Sequence, residues 1–434
     1  MSDAIIGSIG ILALLVLIAA NMHIGIALIL VSYVGLIALV GSHAAWGMLE
    51  VVPYTFISNW TLSSVPMFVF MSYVCFSADL TRGLFDAARL WLVRLPGGLA
   101  IASVFGCSGF AAVTGSSVAC AAAMGKVAVP EMLRNGYDAR LATGTVAAGG
   151  TVGALIPPSI LLIVFGVIAQ VSINDLFLGG IGVGIATAVF YIAVIVIRVK
   201  LNPGLAPSIT DRVTWGERFV ALRGALPVLL LIIGVLGGLF GGLFTATQAG
   251  AVGALMSLGV AALHRRLTLS VVKAAVIDTL ATCGSLFIVT IGASMLTRFL
   301  TMSGVGYMIT DAVGWMGASP VMLLIVIALV YLVLGMFLEP IGAMLITLPI
   351  FLPLVATAGI DAIWFGVFVA KLLEVGMITP PIGMNVFVLS TTVGKAAPAD
   401  VVFRGVFWFF VADILLLGLL IWAPSIVTFI PSLV

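Results

Sequence analysis

Two short segments of this 434-residue chain combine glycine with a proline pair inside otherwise apolar runs: Gly153 Ala154 Leu155 Ile156 Pro157 Pro158 and Gly376 Met377 Ile378 Thr379 Pro380 Pro381. A proline lacks an N–H and obstructs a helical path, so carbonyls just upstream lose their donors. Freed carbonyls suit a hard cation such as Na+, and the start of a half-helix suits a carboxylate. The second segment adds the Thr379 hydroxyl, with Asn385 a turn beyond. Two further breaks offer complementary oxygens. Thr114 Gly115 Ser116 Ser117 puts three hydroxyls on a glycine-containing turn, able to cap the helix that follows or to ligate an ion. Glu339, before Pro340 Ile341 Gly342, brings a carboxyl group with either a functional or a hydrogen-bonded structural role. Lys371 and Glu374, three apart on one helical face, are expected to neutralise each other in preference to touching a substrate. Asp413 requires a polar partner that the sequence does not name.

The elements that position these residues are apolar. Hydrophobic residues make up 63% of the chain and charged residues 8%, against about 25% charged in soluble proteins. That excludes a water-soluble globular fold, and a net charge of +2 with scattered basic residues leaves no surface for a nucleic acid. The apolar runs do not alternate as barrel strands do, and they suffice for roughly ten to twelve helices of about 20 residues. Cys75, Cys107, Cys120 and Cys283 lie in apolar runs without a CxxC pair and read as small core residues. His23, His43 and His264 have no second ligand at metal spacing. No Gly-x-x-x-x-Gly-Lys-Ser/Thr phosphate loop occurs, so no nucleotide hydrolysis is expected of the chain, and no cofactor. The first apolar run lacks the positive flank of a cleaved signal peptide and is expected to stay as a span.

Spans are predicted at 5–20, 24–40, 65–77, 176–197, 225–240, 248–263, 276–297 and 402–422. Between them lie two hairpins, at 100–130 and 320–353, and two helices broken in the middle, at 139–169 and 362–392. If each hairpin enters and leaves on one side, sixteen of the eighteen basic residues, Arg212 and Lys395 among them, face one compartment; Arg298 and Lys371 do not. Short cytoplasmic loops collect Lys and Arg, so this segregation predicts re-entrant hairpins and an external N-terminus.

Adding 223 to positions in the first half gives ten identities in the 29 columns from Pro130 to Pro158, including Gly136 on Gly359, Asp138 on Asp361, Gly153 on Gly376 and both prolines of the breaks. Turn and helix-break residues rarely agree in order by chance, so the chain is read as an internal repeat. Five crossings separate equivalent spans, an odd number, so the repeats are inverted. The expected fold is an all-α polytopic membrane protein in one domain over 1–434. Its inverted repeats, at 65–198 and 276–424, each carry a re-entrant hairpin and a discontinuous helix. Secondary transporters share this plan, with the site at the repeat interface near the bilayer midplane.

The runs Gly97 Gly98 Leu99 Ala100, Gly115 Ser116 Ser117 Val118 Ala119, Pro130 Glu131 Met132, Gly136 Tyr137 Asp138, Ala148 Gly149 Gly150 Thr151 and Ile156 Pro157 Pro158 Ser159 resemble the large membrane subunit of TRAP transporters, the DctM-like family. Gly335 Met336 Phe337 Leu338 Glu339, Thr347 Leu348 Pro349 Ile350 and the run from Glu374 to Asn385 extend the resemblance over essentially the whole chain. It implies an elevator-type, Na+-coupled importer of organic anions, such as C4-dicarboxylates or sialic acid, in the bacterial inner membrane. The implied partners are a small four-helix membrane subunit and a periplasmic substrate-binding protein. Carried onto this sequence, substrate binding falls to Ser116, Ser117, Pro157, Glu339, Thr379, Pro380 and Asn385. Na+ ligation falls to Thr114, Gly115, Ser116, Ser117, Gly153, Ile156, Gly335, Glu339, Gly376 and Thr379. Where the family often has Pro-Thr-Glu, this chain has Ala246, Thr247 and Gln248, which weakens a carboxylate requirement there.

The main alternative is a stand-alone Na+- or H+-coupled carboxylate carrier of the same superfamily. An intramembrane enzyme would need a catalytic pair at depth, and Glu339 with Lys371 is a poor one. A channel would need charge rings or a repeated filter, and the sequence has neither.

Overall fold

The computed structural model describes residues 3–207, 214–306, 308 and 319–433; Arg212 and the Lys395 side chain, counted on the basic side above, lie outside this description. Helices dominate, and no strand occurs among the described residues. Among the described residues, eight helices are long and apolar enough to cross a membrane, from Trp60–Ser77 to Ala399–Trp422.

The first hairpin consists of Gly98–Thr114 and Ser117–Arg134, and the second of Pro320–Phe337 and Pro340–Thr357. The first broken helix runs Ala139–Thr151, a short 3-10 turn at Val152–Ala154, then Ile160–Ala169; the second runs Ala362–Gly376, then Met384–Val393. Their starts are set by side-chain caps. Asp138 accepts from the N–H groups of Arg140 and Leu141, and Asp361 accepts from Trp364. An aspartate at the 223 offset therefore opens both helices in the same way.

Two helices escape a search for apolar runs. Ser42–Ile57 carries His43, Glu50 and Pro53 and buries Ala45 and Val52 alone. Arg82–Leu92 alternates charged and apolar residues and buries Phe85 and Ala87. The span expected at 276–297 extends to Leu269–Ser303, because Thr268 caps its start and Gly304, at φ +71°, ends it.

Packing repeats along with the elements. Gly98–Thr114 packs on Ala139–Thr151, as Pro320–Phe337 packs on Ala362–Gly376. Ala139–Thr151 also packs on Ala399–Trp422, as Ala362–Gly376 packs on Ile173–Leu201. The second halves are exchanged: Met384–Val393 lies against Ser117–Arg134 of the first hairpin, and Ile160–Ala169 against Pro340–Thr357 of the second. Each broken helix thus begins beside its own hairpin and ends beside the other. Around this body, Ser64–Ser77 packs on Ala246–Leu263 and Leu269–Ser303, Ile24–Val40 on Leu269–Ser303, and Arg82–Leu92 on Trp215–Phe240. This is the inverted-repeat, all-α polytopic fold expected from the sequence.

Several basic residues are tied to neighbouring elements. Arg89 pairs with Glu131 near the end of the first hairpin, and Trp91 Nε1 donates to the Arg218 carbonyl. Arg266 donates to the carbonyls of Ala78 and Asp79, and Arg198 stacks over Trp408.

Ala139–Thr151 and Ala399–Trp422 touch backbone to backbone. A Cβ on Gly405 would lie 2.1 Å from the Arg140 carbonyl oxygen, and one on Gly144 would lie 2.4 Å from the Gly405 carbonyl carbon. Gly405→Ala should therefore force the helices apart at a cost of about 1–3 kcal/mol. Its thermal unfolding midpoint in detergent should fall; an unchanged midpoint contradicts this close approach.

Candidate functional site

The two hairpin tips meet at a cavity of about 210 Å³. Thr114, Gly115, Ser116 and Ser117 line it from the first tip, Glu339 from the second, Ala154 from the first break, and Glu374 and Met377 from the second. The opposite wall is Ser72, Tyr73 and Phe76 of Ser64–Ser77, with Thr282 of Leu269–Ser303. Gly115 stands at φ +60° with the Pro158 carbonyl oxygen 2.6 Å from where a Cβ would sit, so the tip rests on the first break only as glycine. The Ser72 hydroxyl lies 2.9 and 3.0 Å from the carbonyls of Val113 and Thr114 and 2.8 Å from that of Phe68. Its one proton serves a single acceptor at a time, which makes this contact with the tip readily exchanged. Tyr73 and Thr282 are hydrogen-bonded at 2.8 Å.

Both tips are capped by the residues that the offset of 223 aligns. Ser116 Oγ accepts from the Ala119 N–H at 3.3 Å, and Glu339 Oε2 accepts from the Gly342 N–H at 3.2 Å. The capping use of Ser116 and the hydrogen-bonded use of Glu339 are thus both present, and both residues also line the cavity.

Other candidates stand behind its walls. Gly153 packs on Ala111 of the first hairpin, and Gly376 packs backbone to backbone on Gly335 of the second. Ile156 lies against Gly184, Pro157 is buried, and Pro380 is exposed. The Thr379 hydroxyl donates back to the Val375 carbonyl at 2.6 Å. Asn385 is fully buried, its N–H donating to the Met377 carbonyl at 3.1 Å. The peptide bonds Pro157-Pro158 and Pro380-Pro381 are both cis.

One expectation is overturned: Lys371 does not pair with Glu374. Its Nζ donates to Asp413 Oδ1 at 2.6 Å, with both side chains fully buried. The Tyr191 hydroxyl donates to Asp413 Oδ2 at 2.8 Å and lies 3.0 Å from the Thr151 hydroxyl. Glu374 turns instead to the first tip, where the Ser117 hydroxyl donates to its Oε1 at 3.1 Å. Spacing along one helix names neighbours on that helix, whereas both groups here face residues from other helices. Asp413 acquires the partner the sequence left unnamed.

Sequence reasoning also missed Ser72, Tyr73, Thr282 and Tyr191, hydroxyls in apolar helices with no break to mark them. Gln248, the departure noted above, completes a capping box: its Oε1 accepts from the Thr245 N–H at 2.9 Å, while its own N–H donates to Thr245 Oγ1 at 3.4 Å. Three groups beside the tips and breaks remain without a hydrogen-bond partner although buried: Thr114 Oγ1, Glu374 Oε2 and both amide atoms of Asn385. Each such group costs about 1–3 kcal/mol.

Half-helices and hairpin tips converge here on a largely apolar cavity with a few hydroxyls and two carboxyls, a plan shared by secondary membrane transporters. The chain belongs to the family described as the tripartite ATP-independent periplasmic transporter, DctM component, whose model matches residues 11–426. It is 36% identical to the C4-dicarboxylate TRAP transporter large permease protein DctM of Pseudomonas aeruginosa, covering 79% of this chain and 80% of that one. It is 34% identical to the protein of the same description from Vibrio cholerae, covering 87% of each. Further relatives are described for isethionate, ectoine and sialic acid. The YdaH transporter of Alcanivorax borkumensis shares the fold, with a TM-score of 0.55 at 15% identity over 86% of this chain and 90% of that one. The protein is thus a multi-pass component of the bacterial inner membrane.

Breaking a buried ion pair from one side costs about 3–5 kcal/mol, whereas replacing both partners by apolar groups costs far less. Lys371→Met and Asp413→Leu should each lower the unfolding midpoint, and the double variant should recover most of the loss. A double variant as unstable as the sum of the singles contradicts the pairing.

Proposed function

We propose that this chain imports organic carboxylates driven by a Na+ gradient. It would act as the large subunit beside a small four-helix membrane subunit and a periplasmic substrate-binding protein. The observation that carries the reading is the set of buried, unpartnered polar groups where the two repeats, divided at 65–198 and 276–424, come together. A buried carboxyl is tolerated either protonated or beside a cation. Glu339 and Glu374 line one cavity, while the Lys371 charge is already neutralised by Asp413. A site of this composition attracts cations of its own, and an anion joins them more readily than it enters alone. Na+ suits the hydroxyls of Thr114, Ser116 and Ser117 on one side and Glu339 with Glu374 on the other.

Substrate contacts are proposed at Ser116, Ser117 and Glu339, with Asn385 behind them. Gly153, Ile156, Gly335, Gly376 and Thr379 shape the breaks through their backbones. The names of the C4-dicarboxylate relatives support a small carboxylate. The exchanged packing of the broken helices supports an elevator movement, because hairpins and breaks interlock as one body that can slide against the remaining helices.

Reconstituted in liposomes with both partners, the chain should accumulate a C4-dicarboxylate or sialic acid only under an inward Na+ gradient. Uptake by this polypeptide alone favours the stand-alone carrier, and accumulation persisting without Na+ removes the coupling. Glu374→Gln should lower Na+-driven uptake at least tenfold while the protein remains folded and monodisperse. Wild-type uptake by this variant rules out a role for the carboxyl in coupling.

A further inference from the structure

We infer that Arg298 is the fixed positive charge that receives the substrate's carboxylate at the outer mouth of the transport path, an inference that rests on the carboxylate-import reading above. Charge segregation isolates this residue. Of the two basic residues that do not share the basic face, Lys371 is consumed by Asp413, which leaves Arg298. Its position is fixed by the helix Leu269–Ser303. That helix begins beside the loop in which Arg266 bonds to the carbonyls of Ala78 and Asp79 on the basic face. Arg298 lies 25 residues beyond Lys273, about 38 Å along the axis, so it reaches the opposite face.

There Arg298 lines a cavity of about 670 Å³ together with Thr55, Asn59, Gln170 and Pro349. A second cavity, of about 450 Å³, shares Asn59 and Gln170 and continues to Thr245 and Thr247. Arg298 is exposed, and among the described residues it makes no ion pair. A cation outside the basic face runs against the bias that gathers Lys and Arg there. A guanidinium beside the hydroxyls and amides of Thr55, Asn59, Gln170, Thr297 and Thr301, in a cavity otherwise apolar, is suited to holding a carboxylate.

The geometry also links this cavity to the hairpin tips. Pro349 and Pro353 belong to Pro340–Thr357, whose start is capped by Glu339. Glu339 precedes Pro349 by ten residues, about 15 Å along the helix, so the tip lies that much deeper than the level of Arg298. Sliding the hairpin by about that distance brings the tip up to Arg298. The scaffold then supplies a positive charge that the hairpin tips lack, and withdrawing the tip leaves that charge behind. An anion held this way binds more tightly from outside than from inside.

Two measurements test this in the full chain. The first needs no transport. With Thr301→Cys as a reporter one turn from Arg298, anionic and cationic methanethiosulfonate reagents are applied from outside. Arg298→Gln should lower the anionic-to-cationic rate ratio at least fivefold; an unchanged ratio overturns the inference. The second uses the reconstituted tripartite system with radiolabelled succinate or sialic acid. Arg298→Gln should raise the half-saturating concentration for inward uptake at least tenfold and leave that for efflux within twofold, with Arg298→Lys close to wild type. Equal changes from both faces overturn it. Weaker docking of loaded and unloaded binding protein alike also overturns it, because that outcome marks a protein contact. If the wild type moves neither probe, the carboxylate reading fails, while the reporter ratio still decides the charge at Arg298.

Discussion

A backbone break at membrane depth must find partners for its N–H and C=O groups within the protein, and most of the fold follows from that requirement. The chain makes four breaks, and each is repaired locally. Ser116 and Glu339 cap the helices that leave the two tips, and Ser159 caps the helix that leaves the first break. At the second break the Asn385 N–H reaches back to Met377, and Val386 bonds to Gly383. These repairs consume the nearest polar side chains. What remains unpaired is therefore informative: Thr114, Glu374 and Asn385 keep buried polar atoms free after the backbone has been served.

Much of this was legible in the sequence, because the residues that break a helix are the ones whose types are constrained. Breaks in the apolar runs located both hairpins and both broken helices, and Gly136, Asp138, Gly153, Pro157 and Pro158 recur at one offset. The helices Ser42–Ile57 and Arg82–Leu92 were not legible by the same method, since Glu50 and Pro53 in the first and the charged residues of the second interrupt the apolar runs that mark a span. At the site, tip residues were found by their turn chemistry, and Glu374 by being a rare charge at depth. Its partner was misread. Lys371 is its neighbour on the helix, yet Lys371 pairs with Asp413, 42 residues on, and Glu374 with Ser117, 257 residues back, and no local pattern encodes such pairings.

The two misread pairings have different consequences. Ser117 to Glu374 joins the first tip to the second broken helix at the cavity. The chain from Lys371 through Asp413 and Tyr191 to Thr151 lies in a fully buried setting away from that cavity. It ties together the two broken helices, Ile173–Leu201 and Ala399–Trp422. A buried ion pair is weak evidence for stability, because apolar residues of the same volume often do as well. Its geometric demand is the stronger effect: the ammonium, the carboxylate and two hydroxyls are satisfied together in one register.

That register matters because the second halves of the broken helices are exchanged between the hairpins. Apolar contacts alone tolerate small slips of one helix along another, and a slip here would carry one tip away from its break. Gly115 on the Pro158 carbonyl and Gly376 on Gly335 leave no space for such a shift, and the Lys371–Asp413–Tyr191–Thr151 chain penalises it from the far side. Hairpins and broken helices are therefore interlocked as one packed unit. The Ser72 hydroxyl touches that unit through carbonyls that can be exchanged one for another. Close packing inside and exchangeable hydrogen bonds at the boundary both trace to how few polar groups the chain places among its apolar helices and how each is used.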